Sequence, residues 1–134
     1  MSTIGHPLSD LANLLTPFVT APNKHAQAMN NTGTGAAKEA FLPGRTEGLP
    51  TREQCISWYR EVAGWDPESD IAWGDAFGVY RGAIIMQGIG ARYAVRQASS
   101  ERAKDYGDAM KPYGLVAWDL VQKCKENKKA MAKI

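Results

Sequence analysis

The sequence has little of what most chemistries and compartments require. It holds two cysteines, Cys55 and Cys124, with no CxxC spacing, and two histidines, His6 and His25, that do not fall at metal-ligand intervals from them. This excludes a zinc framework of the usual kind and a disulfide scaffold, and leaves two thiols suited to a reducing compartment. Charge of one sign is also lacking: the formal net charge is +2, too small to imply nucleic acid or a membrane surface as partner. Seven of the sixteen basic residues lie between Arg102 and Lys129, but acids are interspersed among them, the pattern of a solvated helix face. No basic n-region precedes an apolar run in MSTIGHPLSD, so no secretory signal is read there. The most apolar stretch, Ile71 to Val95, is broken by Asp75, Arg81, Gln87 and Arg92, which argues for a buried helix instead of a membrane span. Strand-like alternation and internal repeats are missing as well.

What remains is 134 residues, 44% apolar and 22% charged, enough for one domain with a core. The expected class is all-α, with about four main helices and a long loop after the first. Pro7 suits a first helical turn, and Leu8, Leu11, Ala12, Leu14 and Leu15 follow at helical spacing until Thr16-Pro17 ends the run. From Thr20 to Pro50 the composition shifts to Asn, Thr, Gly, Pro and Ala, which reads as a flexible insertion with a short helix near Ala36 to Phe41. Thr51-Arg-Glu-Gln54 is a capping box, and Gly64 supplies a left-handed stop. Asp66-Pro67 offers a fresh start to a long central helix, about Ser69 to Gln97. Its Gly74, Gly78 and Gly82 form a bare stripe against which another backbone can pack closely. Ser99-Ser100 caps a last amphipathic helix, Glu101 to about Asn127, that Pro112 should kink, with a fraying tail from about residue 125.

Phosphoryl transfer needs a catalytic aspartate, an Asn and an Asp for magnesium, and a lysine on the nucleotide phosphates. None stands here in workable order. Thr32-Gly33-Thr34-Gly35 with Lys38 lacks the spacing of a phosphate loop, and Gly88-Ile-Gly90 has Tyr93 where a third glycine belongs. No serine has a histidine and an acid to activate it. The acidic group Asp66, Glu68 and Asp70 reads as helix-start chemistry. Asp10, on the first helical turn, either caps its helix or reaches outward to hold another loop. Arg81, Gln87 and Arg92 lie on the buried-looking central helix, where a charge needs a partner or a ligand. An internal salt bridge to Asp75 or another acid is the plain reading.

The stretch Ser2-Thr-Ile-Gly-His-Pro-Leu-Ser-Asp-Leu-Ala12 resembles the segment that follows the magnesium-binding Asp-Trp-Glu motif in aminoglycoside phosphotransferase/choline kinase-like enzymes, nearest the branch related to the kinase-like domain of some acyl-CoA dehydrogenases. The likeness resumes at Gly48-Leu-Pro-Thr-Arg-Glu-Gln and runs through Trp58-Tyr59, then through Phe77-Gly-Val-Tyr-Arg81 and Gln87-Gly88 to Arg92. It ends in the helix of Tyr106-Gly and Pro112. The resemblance implies the helical C-terminal subdomain of a protein kinase-like fold. It implies that Asp10 braces a catalytic loop, and that Tyr80, Arg81, Gln87 and Arg92 lie on the acceptor side of a cleft. Complete relatives use ATP and magnesium to phosphorylate a small hydroxylated acceptor. For this chain the expectation is no catalytic or metal-binding residue, no cofactor, and inactivity alone. Met1 falls where the residue after Asp-Trp-Glu would stand, so it is expected to be an internal methionine of a longer ancestor. The expected partners are a missing N-terminal lobe or a second copy met through an exposed first helix, in the cytoplasm. A helical interaction module or a non-functional remnant is the alternative.

Overall fold

A computed structural model of the chain describes residues 5–27 and 39–131. It is all-helical: α1 (Leu8–Thr20), α2 (Lys24–Gln27), α3 (Arg52–Ala63), α4 (Ile71–Ala94) and α5 (Ala103–Met131), with a 3-10 turn at Glu39–Phe41. No strand occurs among the described residues. The central helix α4 packs against both α1 and α5, and the short α2 leans on α5.

Local chemistry explains most boundaries. Thr51 Oγ1 accepts the Gln54 N–H at 3.2 Å, and Gln54 Oε1 accepts the Thr51 N–H at 2.8 Å, so the capping box is complete. Gly64 ends α3 at φ +64°, a conformation that glycine adopts without steric penalty. Ser100 Oγ takes the Arg102 N–H ahead of α5.

One proline expectation is corrected: α1 does not stop at Thr16-Pro17 but runs on to Thr20. α5 holds Pro112 within its span, as expected, and extends to Met131, past the expected end near Asn127. A proline removes one backbone bond. In α1 the following turn is held by the Thr20 hydroxyl on Thr16 O at 3.0 Å and by burial of Thr20 and Ala21. Phe18 adds an edge-to-face contact with Phe41. Part of the 20–50 stretch is ordered too, as α2 and the 3-10 turn. The Thr32–Gly35 run with Lys38 lies outside the described residues.

The core comes in small clusters. Leu8, Leu11, Leu15 and Ile71 form one, flanked by Phe18, Cys55, Ile56, Tyr59 and Trp65. Val79, Val116, Ala26 and Ala117 form another between α4, α5 and α2. The bare stripe of α4 does admit neighbours. A Cβ on Gly74 would lie 2.8 Å from a Leu8 methyl, and one on Gly90 would lie 3.0 Å from the Gly107 Cα, where α4 and α5 touch backbone to backbone. No helix among the described residues is long and apolar enough to cross a membrane.

Candidate functional site

The start of α1 carries an unusual cap. Pro7 occupies the N-cap position and makes no side-chain cap bond. His6 Nδ1 instead accepts the Leu8 N–H at 3.2 Å, while its ring meets Trp65 edge-on at 5.1 Å. This fixes His6 beside the first turn of α4. Between the two helix starts opens an apolar groove of about 410 Å³, lined by His6, Leu8, Ser9, Asp70, Trp73 and Phe77, with Gly74 as its floor. Trp73 and Phe77 stack at 5.1 Å with their rings 10° from parallel, giving it an aromatic wall. Ser9 and Asp70 supply the polar rim. Such a groove accepts a ligand with an apolar or cationic body and a hydrogen-bonding group.

The anticipated site residues do not gather in one concavity. Asp10 is exposed on the first turn of α1, where the helix dipole favours its charge. Arg81 is half-buried and joins α4 to α1: its Nη1 donates to Ser9 Oγ at 3.0 Å and its Nη2 to Asn13 Oδ1 at 2.6 Å. Tyr80 is exposed on the outer face of α4, next along from Phe77. Gln87 and Arg92 are exposed further along the same helix, roughly 20–30 Å from Trp73 at 1.5 Å per residue.

The salt bridge expected between Arg81 or Arg92 and Asp75 is not formed. Asp75 is instead bound by Arg52 from the start of α3, Nη2 to Oδ2 at 2.5 Å. Its other oxygen, Oδ1, is buried without a partner among the described residues, and burial outweighs the nearby guanidinium, raising the Asp75 carboxyl from 3.8 to about 6. The pair spans 23 residues, and nothing local in the sequence marks Arg52 as its other half.

A third polar group joins α2 to α5. His25 Nε2 lies 3.5 Å from Asp119 Oδ2, which also takes the Asn23 amide at 3.5 Å. Among the described residues no three His, Cys, Asp or Glu side chains gather as a metal site, and both cysteines are free and half-buried.

Comparison with family models, curated proteins and solved structures finds no match to this chain.

Proposed function

We propose that this chain is the helical, acceptor-side part of a phosphotransferase-like protein, a unit that binds without itself transferring phosphate. The observation that carries the reading is the Arg81 bridge. The two sequence blocks that resemble the family, Gly5 to Ala12 and Phe77 to Arg92, are far apart in the chain and are held together by Arg81 on Ser9 and Asn13. The aromatic-walled groove beside that junction is the proposed seat of a small hydroxylated molecule. Ser9 and Asp70 would receive its hydroxyl or ammonium group, and Trp73 and Phe77 its carbon skeleton. Phosphoryl transfer in complete relatives rests on positioning and metal electrostatics; this chain would contribute the positioning. The cytoplasm is the proposed compartment, in keeping with two free thiols.

Titrating the isotope-labelled chain with amino alcohols, sugars and ATP–magnesium tests this. The expected result is that a hydroxylated ligand shifts the Trp73 indole and Gly74 amide resonances while ATP–magnesium leaves them in place. Groove resonances that no hydroxylated ligand moves would remove the reading.

A second reading, a helical interaction module, is favoured by the outer face of α4, which carries large apolar side chains left in solvent.

A further inference from the structure

α4 is apolar on two opposite faces. Asp75, Val79 and Ala83 lie on the face turned into the molecule and are buried. The opposite face carries Trp73, Phe77, Tyr80 and Ile84, which are 59%, 41%, 55% and 48% exposed. At 100° per residue these four fall within about 60° of one another, a continuous stripe. The stripe continues to Gly88, which is exposed and has nothing within 4 Å of an added Cβ. A glycine inside a helix costs about 1 kcal/mol against alanine. Nothing among the described residues requires one here, unlike at Gly74 and Gly90, whose neighbours touch them.

The charges at the two ends of the stripe are opposite. At the N-terminal end Asp66 and Glu68 share Arg60, at 3.4 and 3.6 Å. Among the described residues the Asp70 carboxylate has only the Ser69 hydroxyl. At the C-terminal end stand Arg92 and Arg96. Among the described residues neither arginine has an ion-pair partner, nor does Asp70. A surface that is acidic at one end, apolar in the middle and basic at the other is complementary to its own two-fold copy.

We propose that the outer face of α4 is a self-association surface on which a second copy of this chain docks antiparallel. The midpoint of α4 falls between Gly82 and Ala83. A two-fold axis there places Phe77 of one copy against Gly88 of the other, a ring over a bare helix. It also places Asp70 beside Val95 and Arg96, with Arg92 reaching toward the Trp73 ring. The half-exposed stripe offers roughly 400 Å² of apolar side chain per copy. With its charged rim it approaches the ~1,200 Å² at which specific interfaces begin, so the dimer expected is a reversible one. The inference does not depend on the phosphotransferase reading. Pairing would cover the groove at Trp73 and Phe77, so a groove ligand competes with it.

Sedimentation equilibrium of the full chain from about 1 to about 200 µM reads the association. The expected result is a monomer–dimer equilibrium that Gly88→Gln weakens at least about tenfold, with helix content by circular dichroism unchanged. Asp70→Lys and Arg96→Glu each weaken it, and the two together restore it in part, because the exchanged charges lie beside one another across the axis and are again opposite. A chain that stays monomeric at the highest concentration gives the stripe to some other occupant and overturns the proposal. A dimer indifferent to Gly88→Gln, or a double exchange as weak as the two single effects combined, overturns it equally. Failure here leaves the groove titration untouched, so the two results are separable.

Discussion

Arg52 and Asp75 form a buried ion pair that ties α3 to α4, with the arginine about a quarter exposed and the aspartate almost fully covered. α3 has no fully buried residue of its own. Beyond Cys55, Ile56 and Tyr59 resting on the Leu8–Ile71 cluster, this pair is its main attachment.

The pair makes stability depend on pH in an uncommon direction. Folding raises the Asp75 carboxyl from 3.8 to about 6, so between those values the folded state holds a proton that the unfolded state has released. Stability contributed by this group is present below about 4 and lost as pH rises through 6. Urea denaturation at pH 5 should give a midpoint above that at pH 7.5, with a stability difference of roughly 1.4 kcal/mol, and Asp75→Asn should abolish it. A wild-type midpoint that falls on acidification and follows that of Asp75→Asn would disprove this assignment.

Removing Arg52 leaves a buried carboxylate without its cation. Arg52→Ala is expected to destabilise by about 2–4 kcal/mol at pH 7.5 and by clearly less at pH 5, where Asp75 is protonated. Chemical denaturation at both pH values measures this. An equal loss at both would mean that Arg52 acts through packing and not through charge.

Glycines on the two sides of α4 should respond oppositely. Gly90→Ala pushes a methyl into the Gly107 backbone, so α4 and α5 must part, and the expected loss is about 1–3 kcal/mol. Gly88→Ala fills open space and should add up to about 1 kcal/mol when measured on dilute protein. Thermal unfolding of both variants checks the contrast.

Arg81→Met keeps the aliphatic stem but removes both bonds to α1. The expected loss is about 1–2 kcal/mol, with faster amide exchange along α1 than along α5. Uniform exchange rates in the variant would contradict a role in holding α1.

The features legible in the sequence are the local ones. Thr51, Gln54 and Gly64 act within a turn or two of themselves, so the bounds of α3 follow from their chemistry alone. The bare glycines of α4 foretold a close backbone, which Gly78 meets in Ala12 O at 3.7 Å from an added Cβ, whereas Gly74 and Gly82 receive the side chains of Leu8 and Tyr113. Pro17 misled because a single missing donor is outweighed by burial and by hydroxyl bonds that only the folded chain supplies. Arg81 was legible as a charge that needs partners, but Ser9 and Asn13 lie on another helix, and its apparent acid Asp75 was taken by Arg52. The outer stripe was illegible for a different reason. A helix apolar on both faces has no one-sided pattern from which to tell Phe77 and Tyr80, which face solvent, from Val79, which does not. His6 as a cap was missed because its imidazole does what a serine or aspartate usually does.

The most direct test follows the γ-phosphate. Incubating the purified chain with ATP, magnesium and a panel of hydroxylated acceptors, and watching by phosphorus NMR, should show no new phosphate ester and no ATP loss above buffer. Magnesium-dependent turnover that co-purifies with the chain would contradict the account, because it would demand a base and metal ligands that the account does not find in these helices.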